Sequence, residues 1–198
     1  MASISAVLTA AGESTRMGNA KALLAWRGAT LLEHQLNCLL EGGVSEVVVV
    51  LGHRAAEVAR YARGPNVRWV VNGRYSDGKA SSIKAGLTAI SKSAEAIALL
   101  AVDQPRTSEI VSQVIRAHTE NNAVITSPRY RGRGGHPLIF SASLKTELES
   151  ITEETEGIRE VFRRHRDQVT EVPINDPLIR LDLNTPGAYE KARVRYGV

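Results

Sequence analysis

Two cations and two glycines lie close together near the start of the chain. Gly12, Arg16, Gly18 and Lys21 follow an apolar run that predicts a buried strand. Glycine permits backbone conformations that are closed to other residues, and a turn after a strand exposes consecutive N–H groups that suit an anion. Because two cations accompany those amides, the segment predicts a cradle for a polyphosphate. The alternative is an ordinary strand-to-helix turn that carries surface charges.

A carboxylate follows a second apolar run, where Asp103 precedes Gln104 and Pro105. An aspartate at the end of a buried strand suits a hard cation, because Mg²⁺ prefers one or two carboxylates together with waters and substrate phosphates. We therefore expect Asp103 to serve a magnesium ion near the phosphate cradle. The alternative is a turn aspartate that accepts hydrogen bonds from the nearby backbone.

The spacing of the first motif separates it from the common phosphate loop. Five residues lie between Gly12 and Gly18, and Lys21 comes three residues later, whereas the common loop has four residues between its glycines and then lysine.

The pattern Ala-Ala-Gly-x-Ser-x-Arg-Met-Gly-x-x-Lys, residues 10–21, resembles the signature of the molybdenum cofactor nucleotidyltransferases. The most similar branch is the cytidylyltransferase-like one, within the nucleoside-triphosphate transferase superfamily. The resemblance runs from the first predicted strand to the last predicted helix.

This resemblance implies the nucleotide and metal contacts. Asp103-Gln104-Pro105 resembles the metal motif of the family, and Asp182-Leu183-Asn184-Thr185-Pro186 resembles a second motif whose aspartate is the other metal ligand. The implied metal ligands are therefore Asp103 and Asp182. The implied nucleotide-binding residues are Ala10, Ala11, Gly12, Arg16, Lys21, Asn72, Gly78, Ser81, Ser82 and Asp103. The alternatives are that Asp182 only favours the positive end of the last helix and that Ser81 caps a helix.

Lys79 departs from the family pattern. It stands where an apolar residue, often methionine, is common in the segment that resembles Gly-x-x-Ser-Ser-Leu-x-x-Gly. Its side chain either adds a phosphate contact or extends into water, and the sequence leaves both open.

A basic, glycine-rich segment is the predicted acceptor site. Residues 132–137, Gly-Arg-Gly-Gly-His-Pro, resemble the Gly-x-x-Gly-His-Pro segment of the cytidylyltransferase-like branch, which implies acceptor contacts by Arg133, Gly135 and His136. Arg129 and Arg131 add charge that would suit a doubly anionic acceptor. The alternative is a flexible basic loop at the surface. The other histidines are interpreted as structural or solvated: His34, His53, His118 and His165.

The resemblance implies nucleotidyl transfer, with Arg16, Lys21 and Asp103 as the catalytic residues. In this family Ala10-Ala11-Gly12 goes with CTP, so we expect CTP as donor, molybdopterin as acceptor and Mg²⁺ as cofactor. A molybdoenzyme is a further expected partner. The alternatives are guanylyl transfer, transfer to another phosphorylated acceptor such as a sugar phosphate, and a non-catalytic nucleotide-binding protein that assists molybdoenzyme maturation.

The composition is that of an ordinary globular protein. The 198 residues are 43% hydrophobic and 23% charged, with a net charge of +4 and 5% aromatic residues. Few aromatics argue against a protein that stacks many bases, so we expect a small polyanion and not nucleic acid as partner. The longest apolar runs are too short to span a bilayer, so no membrane partner is expected. Cys38 is the single cysteine and is interpreted as a buried helical thiol. A single nucleotidyltransferase domain over residues 1–198 and a cytoplasmic location are expected.

Alternating strands and helices must position these motifs. The predicted strands span residues 3–11, 46–51, 67–71, 97–102, 123–127, 138–140, 169–174 and 179–183. The predicted helices lie between Thr30 and Gly42, over residues 55–62, 81–91, 107–118, 144–151 and 158–165, and from Pro186 onward. This order predicts an α/β protein with a three-layer, Rossmann-like nucleotidyltransferase fold and a mostly parallel central sheet. Ligands of such sheets lie at the carboxyl ends of the strands.

Overall fold

The computed structural model describes residues 2–196, apart from the side chain of Arg16. Within that part the strands are β1 (Ile4–Ala10), β2 (Ala25–Trp26), β3 (Ala29–Thr30), β4 (Glu46–Leu51), β5 (Val67–Val71), β6 (Ala96–Ala101), β7 (Ile125–Tyr130), β8 (Arg133–Gly134), β9 (Leu138–Ser141) and β10 (Val169–Pro173). The α-helices are α1 (Leu31–Glu41), α2 (Ala55–Val58), α3 (Lys79–Leu87), α4 (Ser108–Glu120), α5 (Lys145–Ser150), α6 (Ile158–Arg164) and α7 (Pro186–Tyr196).

One mostly parallel sheet organises the molecule. Its strands lie in the order β5-β4-β1-β6-β9-β7-β10, and β8 forms a hairpin with β7. The β1 strand is parallel to both of its neighbours, with Val7 opposite Val48 of β4 and Leu99 of β6. The β9 strand is antiparallel to β6 and β7, whereas β10 is parallel to β7. The predicted sheet is confirmed, with its antiparallel strands confined to the half beyond β6.

Helices cover both faces of the sheet and complete three layers. On one face, Ala6 and Leu8 of β1 join the buried cluster that includes side chains of α1, α4 and α7. On the other face, Val7 joins the cluster that includes side chains of α3, α5 and α6. Burial on both faces explains the continuous apolar sequences of β1, β4 and β6. Among residues 2–196, no helix has both the length and the apolar character needed to cross a membrane.

The starts of α1 and α4 were predicted from threonine residues that cap the helix N-terminus. The predicted capping box of α1 is present: Thr30 Oγ1 accepts from the Glu33 amide at 3.2 Å, and Glu33 Oε2 accepts from the Thr30 amide at 2.9 Å. Thr107 caps α4 by accepting from the Ile110 amide. Cys38 is buried in α1, as expected, and burial raises the pKa of its thiol to about 11.

The predicted strand over residues 179–183 is wrong. The chain there forms a short 3-10 helix, Pro177–Arg180, because Asp176 accepts from the Leu178 amide at 2.7 Å and proline opens the turn. A 3-10 helix can bury two neighbouring apolar side chains, and Leu178 and Ile179 are both buried.

Three further predictions are corrected. The helix placed at residues 81–91 begins at Lys79 with Gly78 as its N-cap, so Ser81 lies inside the helix and does not cap it. The basic stretch over residues 129–135, for which a surface loop was the alternative, is partly a hairpin in which Arg129 pairs with Gly134. The α2 helix ends at Val58, before the predicted end at residue 62.

Candidate active site

A cavity of about 380 Å³ opens at the carboxyl ends of β1, β4 and β6. The chain runs from β1 to β4 and β5 on one side and then returns to β6 on the other side of β1, so this is the switch point at which parallel sheets bind ligands. Its lining combines predicted and unpredicted residues: Thr9, Ala10, Ala11, Gly12, Ser14, Ala20, Lys21, Ala22, His53, Tyr75, Gly78, Lys79, Ser82, Ala101, Val102, Asp103 and Asn184.

A cation held between two oxygens forms the charged wall of this cavity. Lys21 Nζ lies 2.6 Å from Asp103 Oδ2 and 2.8 Å from Asn184 Oδ1. The side chains of Lys21 and Asp103 are only 15% and 16% exposed, so their charges act through a medium of low polarity. The Leu183 amide donates to the Asp103 carbonyl at 2.8 Å, which fixes Asn184 beside the end of β6.

The first loop wraps the open side of the cavity. Ser14 and Gly18 adopt left-handed conformations, with φ of 54° and 70°, and Ser14 Oγ accepts from the Lys21 amide at 3.2 Å. Gly18 therefore needs the freedom of glycine, as expected. Gly12 does not, because its φ is not positive and a Cβ there would meet no atom within 4 Å. The Arg16 side chain, a predicted phosphate contact, lies outside the described part of the structure.

The two predicted metal ligands, Asp103 and Asp182, lie close enough for the charge of one to affect the pKa of the other. The pKa of the Asp182 carboxyl is raised by partial burial and then by the charge of Asp103, while a hydrogen bond from Gln104 and the charges of Lys79 and Arg106 oppose the rise. Asp182 is not among the residues that line the cavity. Across residues 2–196, no group of three or more His, Cys, Asp and Glu side chains converges as a metal site. Two carboxylates completed by waters and phosphates are the donor set that Mg²⁺ uses.

Asn72 orders the start of α3 beside the cavity. Its Nδ2 donates to Ser81 Oγ at 2.9 Å and to Ser82 Oγ at 3.1 Å, and its Oδ1 accepts from the Arg74 amide at 2.9 Å. Of the predicted nucleotide residues in this region, Gly78 and Ser82 line the main cavity. Asn72 and Ser81 line a separate cavity of about 490 Å³ behind α3.

A second cavity, of about 850 Å³, is lined by two of the three predicted acceptor residues. Gly135 and His136 line it, together with Arg129 of β7. A Cβ at Gly135 would clash with the carbonyl oxygen of Ile179, which accounts for glycine at this position. Arg133 is exposed in β8 and is not part of the lining, so the structure does not bring it to the other two predicted acceptor residues.

Arg106 links the acceptor segment to the segments that contain Asp103 and Asp182, and no sequence motif predicted it. Its side chain is fully buried, with Nε 2.8 Å from the His136 carbonyl and Nη1 2.7 Å and 3.1 Å from the carbonyls of Pro105 and Leu181. Burial lowers the pKa of Arg106 to about 9, against the opposing charges of Asp182 and Asp103, so it remains a cation at neutral pH. An arginine after a turn proline is usually exposed at the surface. The burial of Arg106 depends on carbonyl groups that are distant in sequence, so it could not be predicted from the local pattern.

His136 is neutral at physiological pH. Burial, followed by the charges of Arg106 and Lys79, lowers the pKa of its imidazole to about 3. A neutral imidazole keeps one N–H donor and one acceptor. It therefore offers the second cavity a hydrogen bond without a charge.

His53 and Tyr75 are cavity residues that the sequence predictions missed. Their rings pack edge to face, with centroids 6.3 Å apart, and both line the main cavity. His53 was expected to be structural or solvated. Its position just after a buried parallel strand could have indicated a site residue, since ligands bind at the sheet edge where the carboxyl ends of such strands meet.

The sequence matches the MobA-like NTP transferase domain over residues 6–169. The chain belongs to the MobA-like NTP transferase family. The predicted family is thereby confirmed, and with it the class of nucleotidyltransferase. The part of the chain that matches this family includes the first loop, Asp103 and His136. Asp182 and Asn184 lie beyond it.

Several proteins are similar to this family member over most of its length. The nicotine blue oxidoreductase of Paenarthrobacter nicotinovorans is 34% identical over 190 residues, which cover 92% of each chain. The molybdenum cofactor cytidylyltransferase of Escherichia coli strain K12 is 28% identical over 200 residues, 99% of this chain and 98% of that one. A probable molybdenum cofactor guanylyltransferase of Bacillus cereus strain Q1 is 28% identical over 151 residues, 75% and 73% of the two chains.

Solved structures share the fold of the MobA-like chain. The crystal structure of Rv0371c from Mycobacterium tuberculosis H37Rv has a TM-score of 0.83 at 26% identity and covers 96% of this chain and 97% of that one. Its complex with manganese has a TM-score of 0.78 at 25% identity, with 96% and 97% covered. The three-layer nucleotidyltransferase fold is confirmed by these likenesses.

Proposed function

We propose that the chain transfers a cytidylyl group from CTP to the terminal phosphate of molybdopterin and releases pyrophosphate. The observation that carries the proposal is Lys21 held between Asp103 and Asn184 in the main cavity, next to a second cavity that contains the predicted acceptor segment. A partly buried cation at the switch point of the sheet suits the phosphates of a nucleotide. The second cavity provides room for an acceptor beside them.

The protein's part in this reaction is positioning and charge neutralisation. An oxygen of the acceptor phosphate forms a bond to the α-phosphorus, the bond from that phosphorus to the β-bridging oxygen breaks, and pyrophosphate leaves with its electron pair. Lys21 and the amides of the first loop would hold the leaving phosphates. His136 would donate its N–H to the acceptor. Fixed donors aimed at developing charge are the main source of rate in such transfers.

Asp103 and Asp182 would hold a magnesium ion. The donor set fits the group, because the charge of Asp103 acts on Asp182, and the Asn184 oxygen contacts the same lysine ammonium as Asp103. When bound, Mg²⁺ would supply charge neutralisation at the phosphates. The manganese complex of Rv0371c shows that a protein of this fold takes a divalent ion.

CTP is proposed over GTP on two grounds. The sequence Ala10-Ala11-Gly12 is the one that goes with CTP in the family that the chain resembles. The cytidylyltransferase relative also spans 99% of this chain, compared with 75% for the guanylyltransferase. Guanylyl transfer is the alternative that the experiment below must separate.

An oxidoreductase is the second candidate, because the relative at 34% identity is named as one. The two classes differ in what they consume. A nucleotidyltransferase needs a triphosphate and releases pyrophosphate, whereas an oxidoreductase needs an electron donor or acceptor and releases none. The Lys21–Asp103 pair favours the transferase, since a paired charge at this position suits phosphates.

The test is pyrophosphate release by the purified chain with Mg²⁺ and molybdopterin, with CTP and GTP compared at equal concentrations. We expect kcat/KM for CTP to exceed that for GTP by about tenfold or more, roughly one well-made polar contact to the base. Equal or GTP-favoured turnover would assign the chain to guanylyl transfer. Nucleotide binding without pyrophosphate release would indicate a non-catalytic maturation partner, and release only with a sugar phosphate would indicate another acceptor.

A further inference from the structure

We propose that Lys79 binds the attacking phosphate of the acceptor at the junction of the two cavities. The inference rests on the proposed function and adds to it a specificity-determining residue, at a position where the resembled family commonly has an apolar side chain.

Lys79 is common to both cavities. It is the first residue of α3 and lines the main cavity, the acceptor cavity and a smaller space of about 80 Å³ that His136 and Gln104 also line. Its charge also lowers the pKa of the His136 imidazole. Lys79 therefore contributes to the walls of both the main cavity and the acceptor cavity.

The ammonium group of Lys79 is available to a ligand. At the acceptor cavity Arg129 is paired with Glu171 at 2.5 Å. Arg159 also lines that cavity and forms no ion pair in the described part of the chain, but it does not line the main cavity, whereas Lys79 lines both. Within residues 2–196, Lys79 forms no ion pair with a carboxylate, and it is exposed to solvent. The Ala80 amide at the start of α3 already donates to Glu153 Oε1 at 2.7 Å. The helix thus presents the lysine side chain, and not that amide, to an incoming anion.

A cation at this junction would favour the reaction. The acceptor phosphate and the α-phosphate are both anions and must approach to bonding distance, and their repulsion is large where water is excluded. The acceptor attacks as a phosphate dianion, so its oxygen provides the electron pair and no proton has to be removed. A lysine that reaches both cavities lowers that repulsion and places the attacking oxygen.

The experiment compares Lys79→Met with Lys79→Arg and with a matched control, Lys84→Met. Lys84 lies on the same helix but lines neither of the two main cavities. We expect Lys79→Met to lower kcat/KM for molybdopterin, and to weaken molybdopterin binding in a titration, by roughly tenfold to a hundredfold, the loss of one charge-assisted hydrogen bond. Lys79→Arg should stay within about threefold of wild type, and Lys84→Met within about twofold.

A second titration separates the acceptor from the nucleotide. The affinity of Lys79→Met for CTP alone should change by less than about threefold, because the leaving phosphates lie at the Lys21 end of the main cavity. An equal loss of CTP affinity would overturn the inference and place Lys79 on the triphosphate. Unchanged molybdopterin affinity in Lys79→Met would overturn it as well.

The two proposals can fail separately. Absence of pyrophosphate release by the wild type, with molybdopterin still bound in a Lys79-dependent manner, would overturn the proposed transfer and keep Lys79 as an acceptor contact. Turnover by the wild type that Lys79→Met leaves unchanged would overturn only the inference. Absence of molybdopterin binding by the wild type would overturn both.

Discussion

The two cavities on either side of Lys79 hold their charges in different ways. In the main cavity Lys21 is paired with Asp103 and Asn184 at less than 3 Å, so positive and negative groups are balanced before any ligand arrives. In the acceptor cavity His136 is neutral, and Arg129 is bound to Glu171. The first is therefore preorganised for the many charges of a triphosphate, whereas the second meets its ligand with Lys79 and Arg159, which form no ion pair in the described part of the chain.

The difference has a cause in the sheet. The main cavity lies at the ends of parallel strands β1, β4 and β6, which are buried on both faces and hold their loops at one edge. The acceptor cavity is built where β9 runs antiparallel to its neighbours and β7 turns back into β8. The Arg106 guanidinium donates to the carbonyl of His136, which lines the acceptor cavity, and to that of Pro105, two residues after Asp103 of the main cavity. The acceptor side is thus positioned by contacts between distant segments and not by one strand end.

The largest loss of activity is expected when a negative charge is removed from the main cavity or from the adjoining Asp182. Asp103→Asn keeps the size of the side chain but removes the charge that faces Lys21 and adjoins Asp182, so pyrophosphate release should fall by about a hundredfold or more. Asp182→Asn should reduce it similarly. The double variant should be little worse than either single one, because the two carboxylates act as a unit.

The control for these variants is Asp167→Asn, which alters an exposed carboxylate of a short 3-10 helix outside both cavities. It should leave turnover unchanged. Near-normal pyrophosphate release by Asp103→Asn would contradict the role given to this residue, provided that its melting temperature shows an intact fold.

A smaller effect is expected for the cation of the same cavity. Lys21→Ala should weaken CTP binding by about tenfold or more, the loss of charge-assisted contacts worth roughly 1.5–3 kcal/mol. Molybdopterin affinity should be unchanged, which is the reverse of the pattern expected for Lys79→Met. Calorimetric titration with each ligand measures both values, and Lys92→Ala, at an exposed position, is the control. Equal losses for the two ligands would remove the distinction between the cavities.

The smallest effect concerns the neutral histidine of the acceptor cavity. The pKa of His136 is about 3 in the folded chain against an ordinary value of 6.5. Between those values the unfolded state binds more protons, so stability falls as the pH is lowered below 6.5. Between pH 7.5 and 5.5 the wild type should lose about 1 kcal/mol more than His136→Gln in urea unfolding. The comparison at pH 7.5 isolates the packing cost of the substitution, and equal losses on acidification would show that His136 does not titrate as inferred.

Local signals were sufficient for the parallel half of the molecule. The continuous apolar run of β4 predicted that strand to the residue, because a strand buried on both faces has no polar positions to obscure it. The bounds of β5, an edge strand with exposed positions, were also predicted to the residue. The capping box of Thr30 and Glu33 fixed the start of α1, since it depends only on residues three apart. Lys21 and Asp103 were predicted as site residues because each follows directly on such a strand or its turn.

Tertiary structure alone decided the rest of the site. Asn184 reaches Lys21 across 163 positions of sequence, and Arg106 is buried among carbonyls of three separate segments, relations that no periodicity records. Arg133 and Arg129 carry the same charge in the same basic stretch, yet only Arg129 lines the acceptor cavity, because the β7–β8 hairpin separates them. Sequence determined which chemical groups are available and where strands end. The folded chain determined which of those groups meet, because strand order and long-range packing set their distances.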